Sequence, residues 1–278
     1  MKTAFLTIFW RDMLKFIRIR SMLFTSLVQP AIWLALYGLS MSSNFTLLAL
    51  GGSPPPGVIS VNYLTFMAAG VVSLTILFTC LYSGITLQFD KEFGLMKEIV
   101  ASPLPRSHIL VGLSLSGVTK SLIQATVIFL FGYVLGVRLF EGFSLGNALL
   151  SVLGIMLFMV LLALGLLFLS SMIALRLETH EGLQGVITLL SLPLFFASNA
   201  LYPTTSLPEI IRIASYANPL SHFINGFRYF SLGSDFYAFG MRCTYGLNDI
   251  LIAMAFLVVF DVVTYLLALW TVNKTKIV

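Results

Sequence analysis

The sequence predicts an all-α integral membrane protein. It should have six transmembrane helices, an N-terminal amphipathic interfacial helix, and a re-entrant external helical hairpin before the last span. Three observations carry this prediction. Hydrophobic residues fill 58% of the 278 positions and charged residues only 10%, where a soluble domain carries about a quarter. The apolar stretches have the length of helices crossing ~30 Å of hydrocarbon, not the ten-residue alternation of an outer-membrane barrel. Charge is confined to short islands between those stretches, because burying it in hydrocarbon is expensive.

Residues 1–20 come first. Phe5, Ile8, Phe9, Asp12, Phe16 and Ile19 alternate with Lys2, Arg11, Lys15, Arg18 and Arg20 at roughly helical spacing. The segment is too charged to span and reads as a helix on the membrane surface, with Trp10 near the interface. A cleaved signal peptide fits poorly, since the charged part precedes a full-length span with no small-residue cleavage site. The first span is expected at 22–41, where Pro30 predicts a kink or a frayed turn. Residues 42–60 hold Gly51-Gly52-Ser53 and Pro54-Pro55-Pro56 without any charge, which reads as a loop stiffened by its prolines.

The second span, 61–87, leads into a polar island from Phe89 to His108. The third span is expected at 109–137, the fourth at 148–175 and the fifth at 183–200. Arg138 and Glu141 mark one connecting turn; Arg176, Glu178, His180 and Glu181 mark the next. Residues 201–246 are too polar, and too broken by Pro203, Pro208, Pro219 and Gly233, to cross. Their amphipathic pieces, Ile210–Ile213 and Phe223–Phe227, predict two short helices that dip into the membrane border. The last span is expected at 249–270, before a basic tail. The whole chain, 1–278, reads as one transmembrane domain, with 1–20 interfacial, 89–108 a cytoplasmic loop and 201–246 an external re-entrant region.

Six spans place both termini on one side. That side holds eleven basic residues, from Lys2 to Lys276, whereas the other holds Arg138, Arg212, Arg228 and Arg242. By the positive-inside rule both termini are cytoplasmic, in a multi-pass protein of the plasma (inner) membrane in contact with lipid. The net charge of +5 is modest, and no nucleic-acid partner is expected.

No catalytic constellation stands out. His108, His180 and His222 fall on different loops, and Cys80 and Cys243 on different segments, so no metal site is expected. Neither a phosphate-binding loop nor a zinc-protease motif is present. Two ionisable residues lie inside spans, Lys120 in the third and Asp261 in the last. Such residues are candidates for a proton relay or a substrate contact. The structural alternative is favoured: Lys120 snorkels or pairs, and Asp261 is its partner or faces a polar cavity. Gly112, Ser116, Gly117, Gly154 and Gly165 predict close helix packing.

Two stretches resemble the membrane subunits of type-2 ATP-binding-cassette exporters, the class of daunorubicin-resistance and nodulation-factor permeases and polysaccharide exporters. They are FDKEFGLMKEIVASPLPRSHILVG at 89–112 and the region 181–233, with its Pro193-Leu194-Phe195-Phe196, Ala200-Leu201-Tyr202-Pro203, Leu207-Pro208, Asn218-Pro219-Leu220 and Arg228. The likeness in layout covers the whole chain. It implies a non-catalytic permease subunit, paired with a second permease copy, that forms the route for a hydrophobic or amphipathic cargo: a drug, a lipid or a lipid-linked glycan. It also implies a separate cytosolic ATP-binding subunit that carries ATP-Mg, with no cofactor on this chain. That subunit would dock on a short helix at about 90–101, through Asp90, Lys91, Glu92, Gly94, Lys97, Glu98, Ser102, Pro103 and Arg106. The external hairpin, with Tyr202, Pro203, Pro208, Asn218, Pro219 and Arg228, would cap the route. The competing reading is a carrier driven by an ion gradient, which needs buried acids or broken helices repeated in two halves. No inverted repeat is visible, and Asp261 is the lone buried acid expected. A membrane enzyme or a scaffold is a third reading, and the lack of a convergent polar site speaks against the enzyme.

Overall fold

The computed structural model describes residues 4–42, 58–95, 106–204, 208–238 and 240–274. Helix α1 (Ala4–Arg18) ends at a sharp break at Ile19, and α2 (Arg20–Ile32) turns away from it. Pro30 cannot donate a helical hydrogen bond. Helix α2 accommodates it and passes directly into a π-helical turn, Trp33–Gly38, before resuming to residue 42. The predicted disturbance at Pro30 is thus a widened turn just after it.

Helix α3 (Tyr63–Glu92) starts at Asn62, whose side chain accepts a hydrogen bond from the Thr65 amide. Helix α4 spans Arg106–Val134. Helix α5 (Leu145–Arg176) is capped by Ser144 and α6 (His180–Phe196) by Thr179. The two short helices expected at 210–213 and 223–227 are α7 (Glu209–Tyr216) and α8 (Pro219–Leu232). Asn218 caps α8, with Pro219 in its first turn, where the missing amide costs nothing. The chain closes with α9 (Leu247–Lys274).

Helices α3, α5, α9 and α4 from His108 to Val134 are long and apolar enough to cross a membrane. Helix α3 is the centre: α2, α4, α5, α6 and α8 pack around it, and its apolar window is buried on all sides. The outer faces of α5 and α9 stay apolar and exposed, through Leu149, Leu150 and Leu153 on one and Ile252, Val259 and Leu266 on the other. Contiguous apolar surface of this kind suits lipid rather than water. Small residues admit close neighbours as predicted. Gly117 meets Leu167, Gly154 meets the Phe230 ring, and Gly165 meets Phe260.

The helical bundle carries one small three-stranded sheet that was not expected. Residues 201–246 contain a β-hairpin, β2 (Asp235–Ala238) and β3 (Met241–Thr244), with its turn at Gly240, where φ is +73°. Strand β1 (Ile59–Ser60), just ahead of α3, pairs in parallel with β2, placing Ile59 opposite Phe236. Phe236 is fully buried and meets Phe66 of α3 edge-on.

Candidate functional site

Two polar clusters hold opposite ends of α3. The first lies where α3 ends in the polar island. Asp90 is 2% exposed, because α3 turns it toward α1 and not toward solvent. There the Arg11 guanidinium donates to it at 2.5 Å and the Lys15 ammonium at 2.8 Å. The next side chain, Lys91, reaches the other way and donates to the Leu177 carbonyl at 2.8 Å, covering the C-terminus of α5. Cations belong at such ends, where carbonyls lack helical partners. Phe89 stacks on His180 at 4.6 Å and on Phe93 at 6.0 Å. Gly94, at φ +77°, then stops the helix in the left-handed conformation that favours glycine.

The island is therefore divided. Asp90 and Lys91 face inward and join α1, α3 and α5, while Glu92 is exposed. The helix expected over 90–101 begins differently, since 90–92 are the last turn of α3. Lys97, Glu98, Ser102 and Pro103 lie outside the described residues, and Arg106 opens α4.

Asp12 is the residue that sequence reasoning missed. It is buried in the face of α1 that meets α4, in line with Ile8 and Phe16. The Ser116 hydroxyl donates to Asp12 at 2.5 Å, and Lys120 forms a salt bridge with the same carboxylate oxygen. Lys120 thus pairs with Asp12, across 108 positions, and not with Asp261. The approach is close because Gly112 has no side chain: a Cβ there would lie 2.8 Å from the Phe5 carbonyl oxygen. Asp261 faces Gly165 of α5, far along the chain from either cluster.

The second cluster surrounds Arg228 in α8, the largest side chain that is fully buried. One guanidinium nitrogen donates to the carbonyls of Phe66 at 3.2 Å, Asn199 at 2.9 Å and Ala200 at 3.3 Å. The guanidinium also lies 3.5 Å from the centre of the Phe66 ring, a cation–π contact. Asn199 donates to Asn225 at 2.6 Å. Asn218, besides capping α8, donates to the Leu194 carbonyl of α6 at 2.6 Å. The Tyr202 hydroxyl meets that of Tyr37, from the π-helical turn, at 3.1 Å. Pro203 is half-buried and Pro208 is exposed at the start of α7. Of the six residues singled out between 202 and 228 in the sequence, Asn218 and Arg228 tie α8 to its neighbours, and Tyr202 ties the preceding turn to the π-helical turn after α2.

No group of three or more His, Cys, Asp or Glu side chains converges among the described residues.

The class defined by this geometry is a multi-pass helical membrane bundle whose buried polar side chains join helices at the two ends of a central one. The chain belongs to the ABC-2 type transporter family, which matches residues 3–232. The ycf38 transport permease of Cyanophora paradoxa is 32% identical over 249 residues, covering 88% of this chain and 80% of the relative. The daunorubicin resistance ABC transporter permease protein DrrB1 of Streptomyces coeruleorubidus is 27% identical, over 79% of this chain and 72% of its own. The inner membrane transport permease YadH of Escherichia coli K12 is 27% identical, over 87% and 85%. The protein is thus a non-catalytic transmembrane subunit of an ABC transporter, and the ATPase resides on a separate, cytosolic ATP-binding subunit.

Proposed function

We propose that this chain is the permease subunit of an ATP-driven exporter, crossing the membrane six times with both termini in the cytoplasm. Helix α2 with its π-helical continuation, and α6, supply the two spans beyond the four long ones. A second permease copy completes the route, and the ATPase subunit brings ATP-Mg. The segment beyond Asp90, with Glu92, Gly94, Lys97, Glu98, Ser102, Pro103 and Arg106, is the docking surface. The observation that carries this reading is that Glu92 is exposed directly after two side chains, Asp90 and Lys91, that are pinned to α1 and α5. A push there moves three helices together. The region from Tyr202 to residue 233 caps the external mouth. A relative named for daunorubicin resistance, together with the apolar walls, supports an amphipathic cargo.

The test is co-purification with the ATPase subunit, followed by daunorubicin transport in vesicles. Reversing Glu92 and Glu98 to Lys should leave ATP turnover running without export. Normal coupling in that variant removes the docking role. Transport that persists without ATP and collapses with an uncoupler establishes a gradient-driven carrier instead.

A further inference from the structure

We propose that Arg228 is the positioning residue that fastens the external cap to α3, so that displacement of the pinned cytoplasmic end of α3 reaches the cap. The proposal rests on the coupling role assigned to that end above. A fully buried guanidinium with no carboxylate within 4 Å among the described residues is costly, and three backbone carbonyls satisfy only part of its donor set. Packing alone would be served as well by Leu or Met. What Arg adds is a bridge between three pieces of chain. Phe66 belongs to the first turn of α3, Asn199 and Ala200 to the turn after α6, and Arg228 itself to the cap helix α8.

Contacts around Arg228 tighten the same junction. A Cβ on Gly70 of α3 would lie 2.7 Å from that of Ala200, so α3 and the post-α6 turn touch without a side chain between them. The Val61 amide donates to Tyr237 of β2 at 2.8 Å, and the Phe140 amide to Ser231 of α8 at 2.8 Å. At the other end Asp90 and Lys91 fix α3 to α1 and α5. Phe66 and Asp90 lie 24 helical residues apart, and at about 1.5 Å of rise each they make a strut of about 36 Å between the two fastenings. No other helix of the bundle carries a buried ionic or cationic clamp near both ends among the described residues.

Hydrogen exchange on the full-length permease in nanodiscs tests the proposal in two stages. In the permease alone, Arg228→Lys keeps the charge but loses the planar fork. Amides of β2 and β3 should exchange about tenfold faster while the middle of α3 stays protected. Unchanged exchange in the hairpin overturns the fastening role. With the ATPase subunit present, trapping by ATP and vanadate should alter exchange both at 89–93 and at 235–244 in the native chain. In Arg228→Lys the response at 89–93 should persist and that at 235–244 should vanish. A cap that still responds in the variant overturns the proposal, whereas a native chain silent at 89–93 overturns the coupling reading. If Arg228→Lys does not fold, Asn225→Ala, which releases the neighbouring clamp on Asn199, should shift both readouts the same way by about threefold. Finally, Ser60→Cys with Tyr237→Cys, cross-strand partners, should restore the cap response when oxidised and lose it when reduced, in a Cys243→Ser background. A purely structural Arg228 gives instead less folded complex, with an unaltered cap response in what remains.

Discussion

Removing the Asp12 carboxylate should be one of the most damaging single changes in the contact of α1 with α4. Asp12→Leu leaves Lys120 buried beside Ser116, with the Phe16 ring 5.6 Å away as its remaining electrostatic neighbour. Breaking one half of a buried ion pair costs about 3–5 kcal/mol, because the surviving charge keeps its desolvation penalty without its partner. Replacing both charges by apolar groups is often neutral, so Asp12→Leu with Lys120→Met should recover most of the loss. The assay is hydrogen exchange over residues 5–18, with thermal unfolding alongside. At 1.4 kcal/mol per tenfold, 3–5 kcal/mol raises the open population of α1 by roughly two to four orders of magnitude. Each single variant should show that rise and the double variant should stay within about tenfold of the native chain. If each single change costs less than about 1 kcal/mol and the two effects add, the pair behaves as an exposed one and α1 is not held by buried charge.

Other expectations follow from single contacts. Gly112→Val places a side chain against the Phe5 carbonyl and Ile8, so α1 should be displaced at a cost of about 1–3 kcal/mol, read as faster exchange in α1 with α3 unchanged. Gly94→Ala forces a Cβ into the left-handed region and should cost about 1 kcal/mol; because nothing among the described residues crowds that position, the loss is conformational, and Gly94→Asn should recover part of it in thermal unfolding. In the β-hairpin, Arg242 hydrogen-bonds Asp235 and holds its carboxyl below the usual range. A depressed value means that the contribution is complete above about pH 4 and fades as pH falls through the folded value. Hairpin protection in exchange quenched after incubation at pH 7 and pH 3 should therefore drop at the lower pH, and Asp235→Asn should abolish the difference.

The long apolar helices were legible because hydrocarbon imposes a length, and the stretches expected at 61–87, 109–137, 148–175 and 249–270 coincide to within a few residues with the four helices long and apolar enough to cross. The small glycines were legible for a related reason: without a hydrophobic force between helices in lipid, close approach demands small side chains. The β-hairpin was not legible. Four-residue strands flanked by Gly233 and Gly240 are too short for a period of two to stand out, and their partner β1 lies 177 positions upstream at the Phe236 pairing with Ile59. The Asp12–Lys120 pair was half legible. A lone lysine in a span demands a partner, and Asp12 in the apolar stripe of a basic helix demands one as well. Nothing local says that these demands meet each other, since α1 could equally have lain with that stripe toward lipid headgroups. In the same way, the charge of Asp90 and Lys91 was visible but its direction was not. Direction depends on where the last turn of α3 stops, which Gly94 sets.

The π-helical turn in α2 carries one residue more than an α-helical path between the same points would need. Trp33 packs there against Phe195 and Phe196 while Tyr37 reaches Tyr202, yet Phe24, Val28, Ile32 and Leu36 keep facing outward. This helix therefore holds a spare unit of length in its wall. Removing one residue between 34 and 36 should tighten the turn to ordinary α-helix and leave the rest of α2 in phase, whereas the same deletion in α3 would rotate half of the central strut by about 100° and misalign its two anchors.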